Sequence, residues 1–380
     1  MESKKKKSFP IKSIFKGNFG FTLISIIIGF IVGAIMLKLV GFDPLEAYKI
    51  MFKGAFSRPK YIGWVIIRST PLILTGLSVA FAFRTGLFNI GAEGQFIVGA
   101  LVATAAGYFL NLPPIIHPIV VFVLAVAAAA LWGGVAGYLK AKFGIHEVIA
   151  TIMLNWIAFY GSNYFVHFDA FKRPHSQATY KILESAQIGI LSQWKKTAGG
   201  KAFLNNIPFL KDLLGAPINL GIIVAILMAV VVWYILNKTT LGYQLRAVGF
   251  NPHAAEYGGI NVNKNIVVSM LIAGGLAGAA GAVHVMGLTH SITILSAMEN
   301  YGFNGIAVAL IGGNTALGSV LSGLLFGFFQ YGGPKIQPAL RAPSEVIDIM
   351  IGTIVFFIAI PNFIRMILSV RRKRGEKHAK

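Results

Sequence analysis

The polar residues of this sequence that could do chemistry lie inside or beside long apolar stretches. They form three groups, in segments 85–95, 146–156 and 299–314. Their amides and carboxylates can hydrogen-bond a polar solute. The sequence shows no set of acidic, basic or metal-binding residues that would act together as a catalytic site. His284 and His290 are lone histidines without the spacing of metal ligands. Because buried polar groups cost free energy unless they are satisfied, each group predicts either a solute path or a bond between helices.

The first group, TGLFNIGAEGQ, joins two apolar segments and contains three glycines. Glycines at this density break helical structure and leave backbone amides unpaired. Non-helical backbone at membrane depth is tolerated only where it lines a cavity or is buried in protein. Asn89, Glu93 and Gln95 are therefore available to a solute or to a neighbouring helix. The alternative is an ordinary turn on the cytoplasmic side, with Glu93 near the positive end of the next helix.

The second group lies in IHEVIATIMLNWIAFY, where a spacing of four places Glu147, Thr151 and Asn155 on one helical stripe. Glu147 stands at the expected start of a helix, where it can cap it. Asn155 is one to two turns deeper, and it either bonds a neighbouring helix or faces a solute.

The third group comprises Glu299, Asn300, Asn304 and Asn314, around the break Gly312-Gly313. The apolar stretch 301–331 is long enough for two short or half helices, and such helices can point their dipole ends at a site at the membrane midplane. Packing of a tight turn is the alternative for Asn304 and Asn314. Segments 86–101 and 302–325 share a loose FN…G pattern, a weak sign of internal duplication.

The elements that position these residues are membrane helices. The chain of 380 residues is 56% hydrophobic and only 12% charged, whereas soluble proteins are about a quarter charged. Its net charge of +21 is concentrated at the two ends, a distribution unlike the basic face of a nucleic-acid-binding domain. The sequence therefore predicts an all-α polytopic membrane protein.

A bilayer core of about 30 Å needs about 20 apolar residues per helix. On this measure we expect about ten crossings, some of them short or broken. They lie near 19–40, 61–83, 91–111, 115–139, 146–168, 218–237, 264–288 and 346–369, with two more in 301–331. The basic ends predict that both termini are cytoplasmic. The first crossing is too long for a signal peptide and is expected to be uncleaved.

This topology gives a basic cytoplasmic N-terminal segment 1–18, a transmembrane domain 19–369 and a basic cytoplasmic tail 370–380. Segment 169–217 becomes an external cap loop with short interfacial helices, although its lysines resist that placement. Segment 238–263 becomes a cytoplasmic loop. The chain has no cysteine and no phosphate-binding loop, so any ATP hydrolysis must come from a partner.

The loop KTTLGYQLRAVGFNPHAAEYGGINVNK has the form of a coupling element. We expect short helices at 242–248 and 252–257, because Asn251-Pro252 is typical of a helix start and Gly258-Gly259 of a stop. Arg246 and Glu256 would be presented to a partner on the cytoplasmic face.

At this loop the sequence resembles a known family. LRAVGFNPHAAEYGGI looks like the ATPase-coupling loop of ATP-binding cassette (ABC) importer permeases of the branched-chain amino acid, ribose and nucleoside group. TGLFNIGAEGQFIVGA and FNGIAVALIGGNTALGSVLSGLLFG are similar to two further segments of that group. FNIGAEGQ with TIMLNWIA is most like its purine-nucleoside, guanosine-type branch, and the GGIDLSVG pattern of ribose permeases is absent.

The resemblance implies a permease subunit in the cell membrane that imports a small polar solute, a purine nucleoside. It implies three partners: a cytoplasmic ABC ATPase, a second homologous permease and an extracytoplasmic lipoprotein that binds the solute. The chain itself is then not an enzyme and needs no cofactor or metal. We expect the residues near the substrate path to be Phe88, Asn89, Glu93, Gln95, Asn155, Trp156 and Asn304, and those that contact the ATPase to be Arg246, Asn251, Glu256 and Tyr257.

Three alternatives remain from the sequence. A permease for a ribose-like sugar or another small solute would share the fold. A transporter driven by an ion gradient would normally carry a deeply buried carboxylate or cation pair, which no crossing clearly provides. An integral membrane enzyme would need a convergent catalytic set.

Overall fold

The computed structural model describes residues 18–191 and 194–359. The described residues form helices, turns and isolated bridges, and they contain no strand of a sheet. The expected all-α class is therefore confirmed. The basic segments at the two ends lie almost wholly outside the described residues, as does the end of the crossing expected at 346–369.

The first six helices are α1 (Asn18–Leu39), α2 (Pro44–Phe56), α3 (Pro59–Arg84), α4 (Ala92–Phe109), α5 (Ile116–Phe143) and α6 (Glu147–Val166). Segment 169–217 contains two short helices, α7 (Ala198–Asn205) and α8 (Pro208–Leu213). The remaining helices are α9 (Gly221–Lys238), α10 (Thr240–Phe250), α11 (Pro252–Tyr257), α12 (Val262–His284), α13 (Tyr301–Ile311), α14 (Ala316–Gly332), α15 (Ile336–Leu340) and α16 (Ser344–Ala359).

Four described helices are long and apolar enough to cross a membrane: α3, α5, α9 and α12, the last extended by a π-helical turn to Thr289. The bent pair α1–α2 makes five if it forms one span. The expected count of about ten is thus not confirmed by length and composition. Several of the other expected crossings are short or carry polar residues: α4 begins with Glu93 and Gln95, and the stretch 301–331 is divided between α13 and α14.

Residues 52–332 form one compact unit, with α3 and α12 almost entirely buried in it and α5 and α9 mostly exposed. Helix α12 packs against α3, α4 and α5 through small residues. A side chain at Gly278 would collide with Ala129 of α5, and one at Gly281 with Phe96 of α4. Because small residues allow backbones to approach closely, they hold helices together where the hydrophobic effect cannot.

Among the described residues, a second unit comprises 18–51 and 333–359. Within it, α1 packs on α16, and Gly29 lies against the backbone of Ile354. The Tyr48 hydroxyl of α2 donates to the carbonyl of Phe30 over 2.7 Å.

Candidate functional site

Two helix starts meet in the middle of the 52–332 unit, at the side chain of Glu93. Its carboxylate accepts the N–H of Asn300 (2.7 Å) and the N–H of Gly302 (2.6 Å). Glu93 is in the first turn of α4 and is fully buried, and the two amides belong to the start of α13. The carboxylate thus satisfies amides that a helix start leaves unpaired, and it sits where the dipole of α13 favours negative charge. A side chain at Gly302 would collide with the Glu93 backbone, so glycine is needed there.

Asn89 and Gln95 satisfy each other beside this junction. The Asn89 amide nitrogen donates to the Gln95 Oε1 (2.9 Å) and to the Ser78 hydroxyl (3.1 Å), and the Gln95 amide donates back to the Asn89 Oδ1 (3.1 Å). All three side chains are buried. The broken segment between α3 and α4 is held by this network, since buried amides are stable only when they are paired.

Asn155 secures the same segment from α6. The Gly94 N–H donates to its Oδ1 (2.8 Å), and its Nδ2 donates to the carbonyl of Ile90 (3.0 Å). Glu147, also on α6, pairs with Lys140 at 2.5 Å and accepts weakly from the Phe88 N–H at 3.4 Å. Four of the seven expected path residues, Asn89, Glu93, Gln95 and Asn155, are therefore brought together, and they bond to protein groups.

The other three expected path residues lie apart from this network. Trp156 is on the outward face of α6, 46% exposed, and its ring stacks on Tyr160. Phe88 is half-buried and contacts Phe83. Asn304 is half-buried on α13, with no side-chain hydrogen bond to any described residue.

A group of charged and aromatic residues that was not expected from the sequence adjoins Glu93. Tyr301 packs against Phe96 and His284, with ring centroids 5.0 Å away in each case, and its hydroxyl lies 3.5 Å from the Arg68 guanidinium. Arg68 could have been singled out from the sequence, because it is a cation inside the crossing expected at 61–83. The contacts of Tyr301 could not have been predicted from the sequence, because its partners lie more than 200 positions away or on another helix.

The α10–α11 loop has the two short helices expected from its sequence. Asn251 caps α11 through its Oδ1, which accepts the Ala254 N–H (3.1 Å), and Gly259 ends it in the left-handed region at φ +79°. Tyr257 is 99% exposed and Glu256 and Asn251 are exposed, whereas Arg246 is half-buried and its Nε donates to the Gly242 carbonyl. These four residues leave their outer surfaces unoccupied by the described chain.

The loop packs directly on the end of α3. A side chain at Gly249 of α10 would collide with the carbonyl of Arg84, and the Arg84 Nε donates to the carbonyl of Asn314 between α13 and α14 (2.9 Å). A small cavity of about 210 Å³ lies at this contact, between Arg84, Arg246 and Phe250. The α10–α11 loop is therefore connected to α13, whose other end is held by Glu93.

A larger cavity of about 410 Å³ lies between segment 169–217 and the residues that follow α12, and Lys181, Glu184 and His290 are among the residues that line it. Burial and the nearby Lys181 hold the pKa of His290 below its usual value. The described residues contain no group of three or more His, Asp or Glu side chains able to hold a metal ion.

Comparisons with known proteins give consistent similarities. Residues 61–359 match the family described as branched-chain amino acid transport system, permease component. The chain is 43% identical to the guanosine ABC transporter permease protein NupP of Bacillus subtilis, over 93% of this chain and 96% of NupP. It is 35% identical to the nucleoside ABC transporter permease protein NupB of Lactococcus lactis (93% and 97% covered) and 28% identical to the glucose ABC transporter permease protein TsgB13 of Haloferax volcanii (91% and 88% covered). No solved structure matches. In the Bacillus and Lactococcus cases a second permease protein carries the same transporter name.

Proposed function

Because the chain belongs to the family of permease components of branched-chain amino acid transport systems, we propose that it is the membrane-spanning permease of an ABC importer for a purine nucleoside. The relatives at 43% and 35% identity are named as guanosine and nucleoside permeases, and the glucose permease is 28% identical, which favours a nucleoside over a sugar as the solute. The permease has no catalytic role of its own, and a separate ATPase subunit hydrolyses ATP.

The observation that carries this proposal is the junction of α4 and α13 at Glu93. Thr75 of α3, which donates to the carbonyl of Tyr301 (2.9 Å), lies nine residues before the end of that helix. At a rise of about 1.5 Å per residue this places the junction about 14 Å inside the α3 span. Two helices that start at this depth, in an otherwise apolar bundle, have the arrangement by which transporters bind solutes near the membrane midplane.

In this proposal the bundle crosses the membrane about ten times, with both termini in the cytoplasm. The α10–α11 loop is then cytoplasmic and segment 169–217 is external. Five of these crossings are α3, α5, α9, α12 and the bent pair α1–α2. The other five are the short or polar helices α4, α6, α13, α14 and α16. Their polar residues are tolerated because they bond to other parts of the protein, as Glu93 and Asn155 do.

The seven path residues have two roles in the proposal. Asn89, Glu93, Gln95 and Asn155 hold the broken backbone in place beside the path, because their hydrogen bonds are already made to protein. Asn304 has a free amide for a solute, and Phe88 and Trp156 have accessible ring faces on which a base can stack.

The cytoplasmic ATPase binds the α10–α11 loop. Tyr257 and Glu256 project fully from α11, Asn251 orients that helix, and Arg246 lines the cavity next to Arg84. Movement of the loop on ATP binding is passed to Arg84 and then to the α13–α14 turn, which opens the path to one side or the other. The other partners are a second homologous permease and a lipoprotein that delivers the solute to segment 169–217.

The test begins with purification of the tagged protein from its native membrane in mild detergent and mass spectrometry of what accompanies it. We expect a cassette ATPase and a second permease, and the complex in vesicles, given its binding protein and ATP, should take up labelled guanosine. Recovery of the chain alone, active without ATP, would overturn the ABC assignment in favour of a gradient-driven transporter. Uptake of a sugar but of no nucleoside would overturn the assignment of a nucleoside as the substrate.

The coupling assignment has its own test. The variants Arg246→Ala and Glu256→Ala should hydrolyse ATP without taking up nucleoside, while the amount of permease in the membrane is unchanged. Normal coupling in both variants would contradict this part of the proposal.

A further inference from the structure

The connection between α12 and α13 is an irregular segment at membrane depth. Leu295 is fixed to Asn163 of α6 by two hydrogen bonds, of 2.8 Å from its N–H and 2.9 Å to its carbonyl. Five residues later, Asn300 donates its N–H to Glu93. Asn163 lies sixteen residues into α6, about 24 Å along the helix, so the segment descends from there to the Glu93 junction.

Much of this segment is open. Thr293, Ser296, Glu299 and Asn300 are exposed, although the segment is not helical. Irregular backbone exposed to lipid does not occur within the hydrocarbon region, because its unpaired polar groups would not be satisfied there. The open face of the segment is therefore covered by water or by another protein chain, and in the inference below it lines the water-filled path.

Two opposite charges stand at the inner end of this open face, near enough to attract each other but not in direct contact. Within the part of the chain that the structure describes, no ion pair joins Arg68 to a carboxylate, and the only polar contacts of these two side chains are long ones. Arg68 is 3.5 Å from the Tyr301 hydroxyl, and Glu299 is 3.8 Å from the Nε2 of His284. The Glu299 side chain is 35% exposed and Arg68 is half-buried, so both charges are accessible.

Resting on the proposed function, we infer that Glu299 and Arg68 form the site that reads the base of the nucleoside, and that they select guanine. A carboxylate accepts two parallel N–H bonds, which matches the N1–H and the 2-amino group of guanine. A guanidinium donates only, which matches the O6 and N7 acceptors of guanine. Adenine presents an amino donor in place of O6 and an acceptor at N1, so it would meet Arg68 and Glu299 with the wrong polarity.

The three purine nucleosides separate the two contacts. Guanosine and inosine share O6 and N1–H, but inosine lacks the 2-amino group. Replacing Glu299 should therefore reduce guanosine transport most, inosine less and adenosine least. Replacing Arg68 should reduce guanosine and inosine equally, because both lose the bond to O6.

The experiment uses the complete transporter, with its ATPase, second permease and binding protein, in cells or vesicles. Uptake of labelled guanosine, inosine and adenosine is measured for the unsubstituted protein and for Glu299→Gln, Glu299→Asp and Arg68→Gln. For each nucleoside we compare the uptake rate of the variant with that of the unsubstituted protein, as a ratio. Binding and delivery of the nucleoside by the binding protein are the same in both cases and therefore cancel in this ratio. Glu46→Gln, at an exposed glutamate of α2, is the matched control.

We expect the guanosine ratio of Glu299→Gln to fall at least about tenfold below its adenosine ratio, the scale of one lost charge-assisted hydrogen bond. Glu299→Asp, which keeps the charge, should recover part of the preference. An equal loss for all three nucleosides, or no loss, would overturn the inference while leaving nucleoside transport in place. Absence of any nucleoside uptake by the unsubstituted transporter would overturn the proposed function, and this inference with it.

Discussion

The Glu93 junction and the α10–α11 loop are built from the same residue types, asparagine and glutamate beside glycine, yet they use them in opposite ways. At the junction, the side chains of Asn89, Glu93 and Asn155 are buried and bonded to other parts of the chain, Glu93 and Asn155 to residues more than 60 positions away. In the loop, Asn251 caps its own helix and Glu256 projects outward. Polar residues that are satisfied within the chain fix its shape, whereas polar residues left open are available to a partner.

From this contrast we predict how strongly substitutions in the two regions lower the free energy of unfolding. Substitutions at the junction should destabilise the protein, and substitutions in the loop should leave its stability nearly unchanged while they affect coupling. The variants below run from the largest expected effect on stability to the smallest.

Glu93→Ala should have the largest effect. It removes two charge-assisted hydrogen bonds and leaves the N–H of Gly302 buried without an acceptor, a loss of about 3 kcal/mol. Thermal unfolding of the protein in detergent should show a clearly lowered midpoint. Glu93→Gln keeps one oxygen as an acceptor, so its unfolding midpoint should lie between those of the unsubstituted protein and the alanine variant. An unchanged midpoint for Glu93→Ala would contradict the capping role.

Asn155→Ala should be next, at about 2 kcal/mol, because it removes the acceptor of the Gly94 N–H and the donor to the Ile90 carbonyl. The same unfolding measurement applies. Asn155→Asp keeps an acceptor for Gly94 but buries a charge beside the Ile90 carbonyl, so it should be at least as destabilising as alanine. An unchanged midpoint for Asn155→Ala would show that these two hydrogen bonds do not hold the segment.

Asn251→Ala should have a local effect only. Loss of an N-cap costs about 1 kcal/mol, here confined to the short helix α11. Amide hydrogen exchange in α11 should become about fivefold faster while exchange at the α4–α13 junction stays the same. Asn251→Ser is the control, because serine is another good N-cap. Faster exchange throughout the chain would mean that the stability of the α10–α11 loop is not independent of the stability of the rest of the protein.

Tyr257→Ala should not change the unfolding midpoint, because the side chain is 99% exposed. It should nevertheless reduce nucleoside-stimulated ATP hydrolysis, since it removes a large aromatic contact surface for the ATPase. Tyr243→Ala, at another exposed tyrosine on the neighbouring helix α10, measures how specific that contact is. Normal stimulation in the Tyr257 variant would place the contact elsewhere.

Much of the architecture could be read from the sequence, because it follows from local patterns. The α10–α11 loop was predicted nearly to the residue, since Asn251-Pro252 and Gly258-Gly259 fix helix ends by their own conformational preferences. The division of 301–331 into two helices followed from Gly312-Gly313-Asn314. The expected count of about ten crossings is not confirmed in this way, because α4 and α6 carry polar residues that make a helix look less like a membrane span.

The partners of the polar residues could not be read from one sequence. Glu93 bonds to amides more than 200 positions away, and Asn155 bonds to backbone more than 60 positions away. A single sequence indicates that such residues need partners without indicating which ones. From the sequence, both solute binding and interhelical bonding therefore stay open for Asn89, Glu93 and Asn155, and the structure adds which protein groups these side chains bond.

The close approach of Gly249 to the carbonyl of Arg84 has a mechanical consequence. Flexible side chains between two packed elements can change rotamer and absorb a small displacement, so that little of it reaches the next element. At this point the backbone of Gly249 lies directly against that of Arg84, with no side chain between them to absorb a displacement of α10. The contact is therefore a direct mechanical link from α10 to the end of α3, and the hydrogen bond from Arg84 to the carbonyl of Asn314 extends it to the α13–α14 turn.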